Sequence, residues 1–123
     1  MKQILLVGIG GFSGAISRYL ISTWLPKTFT SSKFPVSTFT VNVLGCLIIG
    51  FLYSFSERHI SFDGNFKLLL FTGLLGGFTT FSAFGLESII LFQQNEFFTG
   101  IAYTAGSLVL CLVAVWLGIK IGG

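Results

Sequence analysis

The chain is short of charge. Of its 123 residues, 7 are Lys or Arg, 4 are Asp or Glu and 1 is His, so that charged residues make up 9%. A soluble domain carries about 25%, and a surface this poor in charge excludes a solvated globular fold. The chain is also short of polar sequence. Only brief stretches such as "PKTFTSSKFP" (26 to 35) and "ERHISFDGN" (57 to 65) interrupt the apolar runs, which leaves no room for a soluble catalytic domain. Cysteine is scarce too. Cys46 and Cys111 fall inside apolar segments with no second cysteine or histidine at metal-ligand spacing, and they read as packing residues. The single histidine, His59, stands beside Glu57 and Arg58 in a polar loop and reads as solvated. The net charge of +3 is too small and scattered to suggest a nucleic-acid partner.

What the chain has in abundance is apolar sequence, 53% of residues, with a mean hydropathy of +0.90. This is the composition of a membrane protein. A transmembrane helix needs about 20 mostly apolar residues, and four such stretches are present, at 3 to 25, 36 to 56, 66 to 92 and 97 to 121. The expectation is an all-α membrane protein, one four-helix transmembrane domain over residues 1 to 123. The first stretch opens with a single lysine, but no small-x-small cleavage site follows a short apolar core, so an uncleaved helix is expected.

Orientation in a bilayer follows the Lys and Arg of short cytoplasmic loops. Four spans put Lys2, Arg58, Lys67 and Lys120 on one side and Lys27 and Lys33 on the other, with Arg18 inside the first span toward that second side. So weak a bias permits insertion both ways, and two opposite insertions make an antiparallel dimer. A single, weakly biased topology is the alternative. Small-residue pairs suited to close helix packing occur at Gly10/Gly14, Gly73/Gly77 and Ala102/Gly106. They serve packing within one subunit equally well.

Polar groups at membrane depth are costly and mark candidate functional positions. Thr38 and Asn42 lie one turn apart in "STFTVNVLG", with Gly45 following on the same stripe. The amide N–H groups of Asn42 suit an anion that must shed water; hydrogen bonding to a neighbouring helix is the alternative. Tyr103 and Ser107 form a second hydroxyl stripe in "AYTAGSLVLC", for which packing is the alternative. Arg18 shares a face with Gly11 and Gly14. It either snorkels to the interface or supplies positive potential to an anion vestibule. Glu87 comes shortly before "FQQNE" and is expected near the interface.

The least helix-like part of the third span is "TGLLGGFTTFSAFGLE" (72 to 87). Gly76, Gly77, Thr79 and Thr80 have poor helix propensity, and broken helices are tolerated in a bilayer where the freed backbone lines a cavity or binds an ion. A break near the middle of this span, with carbonyls offered to a cation, is therefore expected. Beyond it, Gly77, Phe81, Phe84 and Ser88 fall on one stripe. Phenyl rings are positive at the edge and can attract a small anion without trapping it. Core packing is the alternative.

These stretches together resemble the fluoride channels of the Fluc (CrcB) family. The similarity runs through "GGFSGAISRY" (10 to 19), "PVSTFTVNVLGCLIIG" (35 to 50), "GLLGGFTTFSAFGLE" (73 to 87) and "AGSLVLCLVAVWLG" (105 to 118), the third being the most specific. The resemblance implies an antiparallel, dual-topology homodimer in the inner (plasma) membrane, exporting fluoride passively through two pores. It implies one structural sodium ion, held by the carbonyls of Gly76 and Thr79 from both copies. It also implies that Phe81 and Phe84 are the ring pair beside fluoride and Asn42 a pore donor, with Thr80, Ser107 and Tyr103 lining the path and Thr38 and Arg18 toward the vestibules. The chain departs from the family pattern at Ser37, where a glycine is usual, and at Ala83, where a hydroxyl residue is usual.

Two rivals stand beside this reading. A small four-helix multidrug exporter needs a carboxylate deep in its first span, where this chain has Arg18 and no acid. A membrane assembly protein would use the glycine pairs but leave the polar stripes without purpose. An enzyme is disfavoured: "VGIGGFSG" has Ser13 where a dinucleotide loop needs glycine, and no βαβ context surrounds it.

Overall fold

The protein is described from a computed structural model, covering residues 1–27, 33–59 and 61–123. The middle of the loop read over 26 to 35 lies outside these residues. Among them all regular structure is helical. Four helical segments are long and apolar enough to cross a membrane: Lys2–Trp24, Val36–Arg58, Gly64–Gln93 and Phe97–Gly122. They match the four stretches legible in the sequence to within about two residues at most ends, the usual uncertainty of helix termini.

The first, second and fourth spans are continuous helices. The third is composite. After Asp63 caps its start by accepting the Phe66 N–H at 2.7 Å, the helix widens over Leu68–Leu75 into i→i−5 turns and tightens again over Gly76–Phe78. Thr79 (φ −92°, ψ 158°) and Thr80 (φ −150°, ψ 118°) are extended, and helix resumes over Phe81–Gln93 with the Thr80 hydroxyl as its N-cap. The two glycines stay helical. The extended residues are the two threonines, whose branched Cβ favours that backbone.

The glycines instead serve close approach. A Cβ on Gly14 would overlap the Leu74 carbonyl and sit 2.8 Å from the Phe78 nitrogen, and one on Gly10 would sit 2.9 Å from the Gly73 Cα. Gly77 meets the Gly11 backbone in the same way. The pairs Gly10/Gly14 and Gly73/Gly77 therefore face each other and hold the first span on the third within one chain. The third pair does not: Ala102 is exposed, and nothing lies within 4 Å of a Cβ added to Gly106.

The second and fourth spans pack along most of their length, with Gly50 against the Val115 backbone, Gly118 against Leu47 and Gly122 against Phe51. They run in the same direction, because one intervening span reverses the chain and the next reverses it again. The turn from the third to the fourth span is short. Asn95 takes φ 60°, which asparagine tolerates, and the Glu96 N–H closes the turn on the Leu91 carbonyl at 2.9 Å.

Candidate functional site

Two stripes of polar side chains, on the second and fourth spans, meet in register. Thr38 stands with Tyr103, Asn42 with Ser107, Cys46 with Cys111 and Gly50 with Val115, at a constant offset along the chain. Thr38 and Tyr103 share one carboxylate. The next two pairs line one groove of about 380 Å³, and the last is in backbone contact. The third span closes the other wall of the groove with Leu75, Gly76, Thr79, Thr80, Phe81 and Phe84.

Asn42 faces the extended residues of the third span. Its Oδ1 accepts the Thr80 N–H at 2.8 Å and its Nδ2 donates to the Thr80 carbonyl at 3.0 Å. The carboxamide thus pairs with Thr80 as a neighbouring strand would. Interhelical bonding, the alternative reading of this residue, is what the structure contains. One Nδ2 N–H is left over, and Asn42 still forms part of the groove wall.

This pairing redirects the donors that a continuous helix would use. The Thr80 N–H goes to Asn42 rather than to Gly76, and the Ala83 N–H goes to the Thr80 hydroxyl at 3.2 Å rather than to Thr79. The carbonyls of Gly76 and Thr79 thereby lose their helical partners, and both residues line the groove. Between them the Gly77 carbonyl accepts from Nε of Arg18 at 3.1 Å. Arg18 thus ties the first span to the backbone of the third. A cation there satisfies one orphan carbonyl and complements the C-terminal end of the helical dipole.

Ser107 is buried, and its Oγ has no hydrogen-bond partner among the described residues. A buried hydroxyl is normally paired, and this one belongs to the wall of the groove. Opposite stand the rings of Phe81 and Phe84, 5.4 Å apart, followed by Phe84 and Tyr103, 5.2 Å apart. Phe81 is 78% exposed in the single chain.

Thr38 and Tyr103 meet at a carboxylate. Both hydroxyls donate at 3.0 Å to Glu87, Thr38 to Oε2 and Tyr103 to Oε1, with Tyr103 0% exposed. In this arrangement both hydroxyl protons point at the carboxylate. Glu87 ties the second, third and fourth spans together and is half-buried among them. It also borders a second cavity of about 290 Å³, lined by Lys33, Ser37 and Gln94, where Lys33 pairs with Glu96. The sequence reading missed this role because it placed Glu87 only along its own span.

A family model described as CrcB-like protein, Camphor Resistance (CrcB), matches residues 5–119. Curated relatives carry the name Fluoride-specific ion channel FluC. One from Methylobacillus flagellatus is 41% identical over 121 residues, 98% of this chain and 94% of its own. One from Rhizobium etli is 42% identical over 121 residues, 98% of this chain and 96% of its own. One from Nitratiruptor sp. is 54% identical over 92 residues, 75% of this chain and 70% of its own.

Proposed function

The chain belongs to the CrcB-like family, and from that premise we propose that it is a fluoride-selective channel, letting fluoride leave the cytoplasm down its electrochemical gradient. The observation that carries this reading is the Ser107 hydroxyl, buried without a partner on the wall of a groove that also holds the free Nδ2 N–H of Asn42 and the rings of Phe81 and Phe84. A hydroxyl in such a place has a proton to give, and a small anion is the complement.

Fluoride would shed water against the Ser107 and Asn42 donors and pass the ring edges, which attract it weakly. Several weak sites in series allow entry and release. Glu87, with the Thr38 and Tyr103 hydroxyls on it, stands between the groove and the cavity at Lys33. Those hydroxyls can rotate from the carboxylate to a passing anion, so Glu87 would act as a parking place for donors that a bare carboxylate would otherwise oppose. Nothing in this scheme transfers a bond, so the protein acts as a conduit and not as an enzyme.

The working unit would be an antiparallel homodimer in the inner (plasma) membrane, with two pores. Three features support it: the weak charge bias, the groove open on the side where Phe81 is exposed, and the unpartnered Ala102/Gly106 face. The third span would then act as a broken helix that meets its counterpart. The carbonyls of Gly76 and Thr79, freed as described, are oxygen donors of the kind a hard monovalent cation takes. From both copies they would hold one structural sodium ion, which would offset the clustered carbonyl dipoles and pin the two chains.

The test is efflux from liposomes holding the purified protein, followed with a fluoride-selective electrode beside a parallel chloride experiment. Rapid fluoride loss with chloride retained is expected. A folded protein that passes neither ion would overturn the reading.

A further inference from the structure

The sequence marks Cys46 and Cys111 as separate packing residues, but the register of the second and fourth spans brings them together. Neither is in a disulfide, and they stand one turn from the point where Gly50 meets the Val115 backbone. Both belong to the groove wall and form the step after Asn42 and Ser107. We propose that these two thiols form a linear, two-coordinate site for a soft divalent cation, with Hg²⁺ as its probe, and that filling the site closes the groove.

The coordination number follows from what surrounds the pair. Among the described residues no third His, Cys, Asp or Glu joins them in a group able to hold a metal, and the adjoining walls are Ile49, Leu108 and Leu112. Tetrahedral zinc, which wants four ligands or three and a water, is poorly served there. A soft ion that accepts two opposed thiolates is well served.

The charge follows from the stoichiometry. Two S–H bonds break, two S–Hg bonds form, and two protons leave through the open side of the groove, with no change of oxidation state. The product carries no net charge. A monovalent soft ion between two thiolates would leave one negative charge in an apolar wall, which is costly. The divalent ion is therefore preferred, and its effect on conduction is steric, because it adds no field that would repel fluoride. The binding stands on the two thiols alone. The closure rests on the conduction reading above.

The experiment titrates the purified full chain with Hg²⁺ in the presence of a competing monothiol. It counts thiols lost per metal and follows the sulfur-to-mercury charge-transfer absorption, with fluoride efflux measured in parallel. One Hg²⁺ per chain consuming two thiols is expected. Cys46→Ser and Cys111→Ser should each hold the metal about a hundredfold less tightly against the competitor, because the second thiol no longer acts at high effective concentration. Wild-type efflux should fall to background with the metal and return with a dithiol chelator, while each serine variant keeps its own metal-free rate under the same competitor. Two metals per chain, or undiminished binding in either variant, would overturn the site. One metal per chain with unchanged efflux would overturn the closure. Should the metal-free wild type pass no fluoride, the conduction reading fails while the thiol count still decides the site.

Discussion

Asn42→Ala removes the two hydrogen bonds that hold Thr80 in its extended form. An unpaired buried backbone group costs about 1–3 kcal/mol. In hydrocarbon the cost rises, but the groove is open on one side and water reaching it brings each group toward the lower end, for a total of about 2 kcal/mol. The Thr80 N–H also has another acceptor within its own chain, the Gly76 carbonyl, to which it would return if the third span rewound. The expected consequence is a shift toward the rewound form by roughly thirtyfold, since about 1.4 kcal/mol is a factor of ten. Rewinding takes the Gly76 carbonyl out of the groove and turns Phe81 about the helix axis. Fluoride efflux from liposomes should therefore fall in proportion to the rewound fraction, and melting of the purified protein in detergent should move down. Asn42→Asp supplies a sharper comparison. It keeps the acceptor for the Thr80 N–H and loses the donor to the Thr80 carbonyl. It should melt between the wild type and Asn42→Ala yet conduct no better than the latter, because its charge faces the groove. Wild-type efflux and melting in Asn42→Ala would refute the argument, since the reciprocal pair would then not be what holds the two threonines extended.

Ser107→Ala separates function from stability. The hydroxyl has no partner among the described residues, so melting should change by about 1 kcal/mol or less. Efflux should fall by about tenfold or more, the worth of one hydrogen bond to a charged group; a parallel loss of both would show the hydroxyl to be structural. Phe81→Ile or Phe84→Ile should abolish or sharply cut fluoride efflux while elution in size-exclusion chromatography stays that of the wild type, and unchanged efflux in both would remove the rings from the mechanism. Gly14→Ala drives a methyl into the Leu74 carbonyl and the Phe78 nitrogen, and should destabilise by about 1–3 kcal/mol, at the upper end because backbone cannot step aside. Gly8→Ala meets nothing within 4 Å and serves as the control, so equal melting of the two variants would contradict the packing.

The four spans were legible because length and hydropathy alone determine them. Asn42, Ser107, Phe81 and Phe84 were legible as candidates because a polar or ring stripe recurs at one turn. What the sequence left ambiguous was the partner of each. Gly76 and Gly77 looked like the weak point of the third span, yet both remain helical, and Gly77 is occupied by its approach to Gly11. The extended backbone falls at Thr79 and Thr80 because a carboxamide from another helix takes up both polar groups of Thr80. Propensity along one segment carries no information about such a partner. The partner of Arg18 was hidden for the same reason, being a carbonyl far along the chain.

Glu87 and the thiol pair show that part of this gap can be closed by reasoning between spans. Four spans alternate in direction, so the second and fourth run parallel. Two stripes with the same one-turn spacing on parallel helices can meet only at a constant offset. Thr38, Asn42 and Cys46 form one such stripe, and Tyr103, Ser107 and Cys111 form the other. The offset that sets Thr38 by Tyr103 also sets Asn42 by Ser107 and Cys46 by Cys111. A slip of one turn either way would leave Thr38 or Tyr103 without its counterpart, at a cost that bilayer depth raises. With that register in hand, the third span has to bring an acceptor to two adjacent hydroxyls. Glu87 is the carboxylate that stands one turn beyond Phe84, whose ring already touches Tyr103. The same register that places the donor-rich groove thus requires the carboxylate at its end and the two thiols beyond Ser107.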